Sequence, residues 1–231
     1  MDQADTVPKH VGVIMDGNRR WAKEHGLAAS KGHAAGQKAL YGLMHHAFSC
    51  GVQYLTVYAF SSENFKRSPD EVGYIMRQVT VALGKYLKEL VDGGVKVVFL
   101  GSREGLKSSV LKAFDMIEAA TANNTKGTFA ICFNYGGEQE LTDAVRSIVR
   151  DGITEAEITP EVVANHLYGP EVPPIDLVIR TGGDQRISNF MLWRIAYSEL
   201  MFTPTYWPDF SNDEFDTMLT AYAERQRRFG K

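Results

Sequence analysis

Apolar residues are arranged along the chain in two patterns, short continuous runs and repeats at helical spacing. Six short apolar runs predict β-strands, at residues 11–15, 54–60, 95–100, 128–133, 176–180 and 198–203. The stretches between them repeat apolar residues at helical spacing, over residues 33–50, 69–91, 110–122 and 138–150, after Thr159-Pro160 and after Ser211. Strands that alternate with helices are typical of a mostly parallel sheet with helices on both faces. The pattern predicts an α/β fold with a six-stranded sheet, in a single domain that spans residues 1–231.

Two predicted helices have specific start signals, and a third has a predicted inner face. Ser68 to Glu71 is a capping box with proline at the first helical position, and Ser211 with Glu214 forms a second capping box. The helix over residues 138–150 is predicted to face inward through Leu141, Ala144, Val145, Ile148 and Val149.

Polar loops follow the first, second and fifth predicted strands, and the first and last of these loops contain glycine. They cover residues 16–21, 61–67 and 181–188. The carboxyl ends of parallel strands meet at one edge of a sheet, where ligands bind. Asp16 could hold a metal there, and Arg20 with backbone N–H groups could hold phosphates. Asp16-Gly17-Asn18 alone could be a simple turn, but the grouping of three such loops favours a site.

Composition excludes several classes of protein. The chain has 231 residues, a net charge of −3 and 44% apolar residues, so no global positive field attracts nucleic acid. No apolar run approaches the ~20 residues of a membrane span, and Met1 to Lys9 contains no hydrophobic signal segment. Cys50 and Cys132 are predicted to be reduced core thiols, which indicates a cytoplasmic protein.

Common catalytic motifs are absent. The chain has no G-x-G-x-x-G after the first strand, no P-loop and no G-x-S-x-G. A phosphohydrolase with paired aspartates is disfavoured because Asn18 stands two residues after Asp16. His45 and His46 point about 100° apart on a helix and cannot share a metal face. His33 opens a predicted helix beyond the Asp16 loop, where it could bind an anion.

The remaining polar residues suit two phosphorylated substrates and one divalent cation. They are arginines, small hydroxyls and isolated carboxylates, among them Asp16, Arg20, Ser61, Glu63, Asn64, Arg67, Arg180, Arg186, Ser188 and Glu199. The predicted helix over residues 69–91 is about 33 Å long. Its apolar face belongs either to the core or to a groove for a long hydrocarbon.

Several segments resemble the cis-prenyltransferase, or undecaprenyl diphosphate synthase, family. They are His10-Val-Gly-Val-Ile-Met-Asp-Gly-Asn-Arg-Arg-Trp-Ala22, Gly32-His33, Tyr58-Ala-Phe-Ser-Ser-Glu-Asn64, Asn134-Tyr-Gly-Gly137, Asp176-Leu-Val-Ile-Arg-Thr-Gly-Gly183, Gln185-Arg-Ile-Ser-Asn-Phe190, Ala196-Tyr-Ser-Glu199, Trp207-Pro-Asp-Phe210 and Arg227-Arg-Phe-Gly230. They cover nearly the whole chain in the order of the family. A set of motifs this long is far more specific than one short pattern.

The resemblance implies an Mg²⁺-dependent enzyme that joins isopentenyl diphosphate to an allylic prenyl diphosphate, with an apolar product tunnel. It assigns Asp16 and Glu199 to the metal, and Asp16 and Asn64 to catalysis. It assigns the allylic diphosphate to Gly17, Asn18, Arg19, Arg20, Trp21 and His33, and the reacting ends to Ser61, Ser62, Glu63, Phe65 and Arg67. Isopentenyl diphosphate is assigned to Arg180, Arg186, Ile187 and Ser188.

The resemblance also implies a cytoplasmic homodimer in which Arg228-Phe229-Gly230 reaches the site of the partner subunit. The product would leave through transient contact with a membrane, without a transmembrane segment. A second hypothesis is a non-catalytic subunit of a cis-prenyltransferase complex. Its support is Ala29, which stands where the family usually has arginine. We expect either weaker binding of the allylic substrate or replacement of the missing cation by the nearby Lys31. Phe65 and Asp184 also depart from the family pattern, which usually has tryptophan and glutamate there.

Overall fold

The computed structural model describes residues 7–66 and 69–225, and this part of the chain contains six strands and seven α-helices. The strands are β1 (His10–Ile14), β2 (Tyr54–Ser61), β3 (Val95–Leu100), β4 (Gly127–Tyr135), β5 (Leu177–Arg180) and β6 (Glu199–Phe202). The helices are α1 (Asn18–Glu24), α2 (Ala29–Ser49), α3 (Pro69–Asp92), α4 (Ser108–Thr121), α5 (Gly137–Arg150), α6 (Pro160–Asn165) and α7 (Asn212–Glu224). Short 3-10 turns cover Ser62–Lys66, Glu155–Glu157 and Trp207–Asp209.

The strands form a six-stranded sheet in the order β3-β4-β2-β1-β5-β6. The pairs β1 with β5, β5 with β6, and β3 with β4 are parallel. All five residues of β1 are buried, as predicted for an inner strand, but the strand begins at His10, and Met15 of the predicted run 11–15 lies just outside it and is only partly buried. The predicted α/β fold with a six-stranded sheet is confirmed.

Backbone contacts group the chain into two compact units. The first comprises Met1–Leu55, Pro174–Ile187 and Tyr197–Lys231, and the second comprises Thr56–Pro173 and Ser188–Ala196. The single-domain organisation stays a prediction, and each unit is described by itself.

In the first unit, α1 and α2 cross at very close range. A Cβ atom on Gly32 would lie 2.0 Å from the backbone oxygen of Asn18, and one on Gly36 would lie 2.8 Å from the Trp207 ring, so only glycine fits at these two points of α2. The backbone oxygen of Gly36 also accepts a hydrogen bond of 2.8 Å from Nε1 of the buried Trp207. This crossing holds the start of α1, directly after Asp16, against a rigid helix.

The second unit has an aromatic core. Phe99 stacks on Phe114 with 3.7 Å between ring centroids, and Phe133 meets Phe114 edge-on. Phe60 of β2 stacks on Phe133 at 5.2 Å. These rings join β2, β3, β4 and α4 into one apolar layer.

The predicted inner face of α5 is partly wrong. Ala144 and Ile148 are buried as expected, whereas Val145 and Val149 are 56% and 71% exposed. The buried face instead includes Glu140. Glu140, Ala144 and Ile148 lie on one face of the helix, and this face is the buried one. Val145 and Val149 each follow one residue later, so they lie on the neighbouring face and are exposed.

Several boundaries shift by a few residues. The sequence analysis gave α1 no helix of its own, and it began α2 at residue 33 instead of Ala29. β4 continues to Tyr135, beyond the predicted end at residue 133. Oγ of Ser211 accepts from the Glu214 N–H at 3.1 Å, but Glu214 bonds to Thr203 instead of closing the second capping box. The first capping box includes residue 68, which lies outside the described residues.

The two cysteines are free thiols in different surroundings. Cys132 is buried as predicted, but Cys50 is only partly buried at the end of α2. In residues 7–66 and 69–225, no helix has both the length and the apolar character needed to span a membrane.

Candidate active site

The loops after β1 and β5 meet, as the sequence predicts for neighbouring parallel strands. Asp16 follows β1, and its backbone N–H donates to Oγ1 of Thr181 at 3.0 Å. The same hydroxyl donates to the backbone oxygen of Asp16 at 2.7 Å. Thr181 follows β5 directly, so its side chain fastens one strand end to the other.

The turn after Asp16 requires glycine. Gly17 has φ +109°, in the left-handed region that side chains rarely adopt. A Cβ atom there would also lie 2.7 Å from the ring of Tyr206 and 2.9 Å from its Cα. The close approach of Tyr206 therefore leaves room only for glycine directly after Asp16.

Two guanidinium groups hold the Asp16 carboxylate, one on each oxygen. Nη2 of Arg180 is 2.9 Å from Oδ2, and Nη2 of Arg20 is 3.0 Å from Oδ1. Arg20 also donates to the Gly182 oxygen at 2.7 Å, and Arg180 donates to the Arg186 oxygen at 2.5 Å. The Arg180 side chain is only 4% exposed, whereas that of Asp16 is 31% exposed.

A second carboxylate completes this cluster. Asp184 accepts from Arg186 at 2.8 Å, and its carboxylate lies 3.6 Å from Arg180 and 3.7 Å from Arg20. Three guanidinium groups against two carboxylates leave one net positive charge. Burial alone would raise the pKa of Asp16, but the hydrogen bonds and the charges of Arg180 and Arg20 together outweigh it and hold that pKa below its usual 3.8. Asp16 is therefore a carboxylate at neutral pH.

Other predicted residues of the first loop have mixed surroundings. Arg19 is exposed, and Nε1 of Trp21 donates to Asp209 at 2.7 Å. Oδ1 of Asn18 is buried, and none of the described residues hydrogen-bonds to it.

His33 does not open a helix. The helix α2 begins at Ala29, which places His33 in its second turn, so the predicted position at the helix N-terminus is wrong. The apolar spacing is weak before residue 33, and this hid the first turn of α2. Ala29 and Lys31 are both exposed in that turn.

The loop after β2 belongs to the second unit and makes a 3-10 turn. Oδ1 of Asn64 accepts from the Ser61 N–H at 3.3 Å, which closes the turn on itself. Phe65 is half-exposed and meets Phe60 edge-on at 5.0 Å. Ser62 is partly buried and Glu63 is exposed.

Asn189 positions Glu63, and the sequence analysis did not single it out. Its Nδ2 donates to Oε1 of Glu63 at 3.0 Å, while its Oδ1 accepts from the Glu138 N–H at 2.9 Å. Burial opposes ionisation of Glu63, but hydrogen bonds from Asn189, from the Glu63 backbone and from Ser61 and Ser62 together outweigh it and lower the pKa. Asn189 and its neighbour Ser188 have φ +63° and +49°. Asparagine tolerates this conformation better than most residues, and that preference was the available signal.

Glu199 is not brought together with Asp16 inside this chain. It begins β6 opposite Leu177, whereas Arg180, beside Asp16, pairs with Phe202 at the other end of the same two strands. The Glu199 carboxylate instead forms an ion pair with Arg225. The predicted strand over residues 198–203 already put Glu199 near its start, away from the carboxyl ends of the strands, so its assignment to the metal came from the family resemblance alone.

Four predicted site residues or segments remain to be located. Ile187 is partly buried and Ser188 is exposed. Arg67 and the segment Arg228-Phe229-Gly230 lie outside the described residues. Thr181 lies in a segment that carries the resemblance but was given no role, and Tyr206 lies in none of these segments; both act through residues distant in sequence.

Comparisons with known proteins agree on one family. The model of the undecaprenyl diphosphate synthase family matches residues 14–230. An isoprenyl transferase of Agrobacterium fabrum is 44% identical over 229 residues, which are 97% of this chain and 93% of that protein. A trans,polycis-polyprenyl diphosphate synthase of Thermobifida fusca, named as (2Z,6E)-farnesyl diphosphate specific, is 42% identical over 98% of this chain and 82% of its own.

A solved structure is also similar over nearly the full length. Lavandulyl diphosphate synthase from Lavandula x intermedia, in complex with dimethylallyl diphosphate, has a TM-score of 0.94 and 32% identity. The match covers 98% of this chain and 100% of that one.

Proposed function

Because this chain belongs to the undecaprenyl diphosphate synthase family and is a transferase of prenyl groups, we propose that it joins isopentenyl diphosphate to an allylic diphosphate such as farnesyl diphosphate. The product is a longer (Z)-polyprenyl diphosphate. One observation carries the proposal: a half-buried carboxylate, Asp16, lies between two guanidinium groups where two parallel strands end.

The cluster around Asp16 fits an anionic substrate. Its net positive charge and the exposed Arg20 and Arg186 attract a diphosphate. Anionic oxygens of the substrate compete with Asp16 for the guanidinium groups, so substrate binding frees the carboxylate. Arg20 then holds the allylic diphosphate, with Asn18, Arg19, Trp21 and His33 around it, and Arg180, Arg186, Ile187 and Ser188 hold isopentenyl diphosphate.

The freed carboxylate fits Mg²⁺. This ion prefers hard oxygen ligands, and one or two carboxylates plus substrate phosphates commonly bind it. Asp16 offers two oxygens of a carboxyl group that stays ionised at neutral pH. When bound, Mg²⁺ neutralises charge that develops on the leaving diphosphate.

The arginines contribute in the same step. The C–O bond of the allylic substrate breaks, and negative charge grows on the leaving diphosphate beside Arg20. Fixed donors aimed at such charge are each worth about 10²–10³ in rate. The alkene of isopentenyl diphosphate attacks the allylic cation and then loses a proton. Asn64 is the proposed acceptor, but its Oδ1 already accepts from Ser61, so a diphosphate oxygen is the alternative.

We propose that Glu199 serves the site of a partner subunit in a homodimer. The register of β5 and β6 supports this, since Glu199 and Asp16 lie at opposite strand ends within one chain. β6 is an edge strand, and Arg225, which pairs with Glu199, directly precedes the segment that contains Arg228-Phe229-Gly230.

Mixed dimers test the role of the partner. We expect Asp16→Ala and Glu199→Ala to be inactive when each is assayed alone. The two variants are then mixed and allowed to exchange subunits. If Glu199 acts across the interface, half of the dimers contain one intact site, and about one quarter of the wild-type rate returns. If Glu199 acts within its own chain, mixing restores nothing.

The product assay tests the reaction itself. Purified protein is incubated with Mg²⁺, labelled isopentenyl diphosphate and, separately, dimethylallyl, geranyl, farnesyl or geranylgeranyl diphosphate, and the lipids are sized by reversed-phase chromatography. Elongated products that disappear with Asp16→Ala are expected, and they also identify the primer and the chain length. A folded protein that elongates no primer would instead favour the non-catalytic subunit.

We also propose a cytoplasmic location and product release through transient membrane contact. An apolar tunnel in the second unit would carry the growing chain. These proposals rest on membership of the family.

A further inference from the structure

Away from Asp16, three side chains of different chemistry meet in the first unit. His46 and Cys50 are four residues apart at the end of α2, so they share one helix face. Asp216 comes from the second turn of α7. Nε2 of His46, Sγ of Cys50 and a carboxylate oxygen of Asp216 all lie within 4.8 Å of one another.

The distances approach those of a tetrahedral metal site. Sγ of Cys50 is 3.5 Å from Nε2 of His46 and 3.6 Å from Oδ1 of Asp216. Zinc bonds of about 2.0–2.3 Å in tetrahedral geometry separate the ligand atoms by about 3.3–3.6 Å. The third separation, His46 to Asp216, is 2.7 Å. It has to lengthen by only a fraction of an ångström when the ion replaces the hydrogen bond.

The donor set selects the class of metal. A thiolate, an imidazole nitrogen and a carboxylate together suit Zn²⁺, whereas Mg²⁺ prefers oxygen ligands alone. The Asp216 side chain is half-exposed, which leaves room for water as a fourth ligand. The buried ring of Phe215 meets His46 edge-on at 6.1 Å and supports the imidazole.

We propose that His46, Cys50 and Asp216 bind a Zn²⁺ ion that ties the end of α2 to α7, with water as the fourth ligand. On binding, the Cys50 thiol releases its proton to solvent and the sulfur bonds to the metal. The proposal is independent of the prenyl transfer reaction. It is also compatible with the divergence of His45 and His46, because His45 packs edge-on against Tyr41 at 4.5 Å.

Metal binding is measured directly on the full chain. Protein stripped with chelator is titrated with Zn²⁺ in excess Mg²⁺, which competes for oxygen-only sites, and Co²⁺ absorption reports thiolate bonding. We expect one Zn²⁺ per chain. Cys50→Ser and His46→Gln should each weaken binding at least about 100-fold. His45→Gln is the matched control and should bind as the wild type does.

Stability provides a second readout. Zn²⁺ should raise the melting temperature of the wild type, of His45→Gln and of Asp16→Asn, but not that of Cys50→Ser. Cys50→Ser preserves side-chain volume, and circular dichroism checks that it folds. A wild-type protein that binds no stoichiometric Zn²⁺, or a Cys50→Ser protein that binds it equally well, would overturn the proposal and leave a hydrogen-bonded triad only.

Discussion

Among residues 7–66 and 69–225, each compact unit contains one almost fully buried arginine that pairs with a carboxylate, Arg180 with Asp16 in the first and Arg194 with Glu140 in the second, and the two pairs differ in what surrounds them. In the second unit, Glu140 is 0% exposed and accepts from Arg194 at 2.8 Å, from the Tyr135 hydroxyl at 2.5 Å and from the Tyr168 N–H at 3.2 Å. Arg194 also donates hydrogen bonds to backbone oxygens, including those of Val172 and Tyr168.

The pair in the first unit is incomplete by comparison. Asp16 is 31% exposed, and the arginines that hold it share a site with one more positive than negative charge. The hydrogen-bonding groups of the Glu140 pair are occupied by protein partners and are buried, so a ligand cannot reach them. We therefore interpret this pair as stabilising the fold. An exposed pair with surplus positive charge can exchange partners, and this distinguishes the Asp16 pair as a binding site.

Glu140→Gln tests the structural pair and should have the largest effect on stability. It leaves the Arg194 charge buried without its counter-ion, which costs about 3–5 kcal/mol of unfolding free energy. Urea denaturation measures the loss. A change below 1 kcal/mol, no larger than that of a surface ion pair, would contradict the structural role.

Asp16→Asn tests the binding pair. The amide keeps the size and one acceptor but loses the charge, so we expect kcat to fall about 10²–10³-fold while the protein stays folded. Steady-state kinetics with the best primer measure the rate. The comparison fails if Asp16→Asn lowers the unfolding free energy as much as Glu140→Gln does, or if its kcat is unchanged.

Much of this comparison could have been anticipated from the sequence, but not its decisive part. Asp16 follows an apolar run, and Arg180 ends another, so strand logic alone brings them together. Glu140 was overlooked because its partners Arg194 and Tyr168 are distant in the chain, and apolar spacing then favoured Val145 and Val149.

The same limit applies elsewhere. The spacing of Asn18–Glu24 lacks an apolar stripe, so α1 was missed, although its packing against Gly36 stabilises it. Asp216 is 166 residues from Cys50, and no local pattern joins them. Periodicity predicts elements, whereas side-chain pairs across elements depend on the packing.

Tyr206→Leu sharpens the account of Arg20. The Tyr206 ring lies 5.2 Å from the Arg20 guanidinium carbon, and its hydroxyl bonds to Glu24 at 2.9 Å. Loss of the cation–π contact should raise KM for the allylic substrate about 2–5-fold with little change in kcat. Tyr206→Phe keeps the ring and should have the smaller effect. Equal KM changes in both variants would assign the effect to the hydroxyl.

The smallest expected effect is on the pH dependence of stability. The lowered pKa of Asp16 stabilises the folded state above the unfolded value of 3.8, and this contribution is lost as the pH falls through the lower folded pKa. The unfolding free energies of the wild type and Asp16→Asn should therefore differ by a constant amount at neutral pH and converge in acid. A difference that persists in acid would show that the charge of Asp16 is not its source.

The central claim is that Asp16 exchanges its arginines for a metal when a diphosphate binds. Its most direct test is calorimetric titration of an unreactive thio-analogue of farnesyl diphosphate, with and without Mg²⁺, into the wild type and Asp16→Asn. In the wild type, Mg²⁺ should tighten binding at least about tenfold. In Asp16→Asn, metal-free binding should be as tight or tighter, because the arginines are already released, and Mg²⁺ should add nothing. The same Mg²⁺ effect in both proteins would contradict the claim.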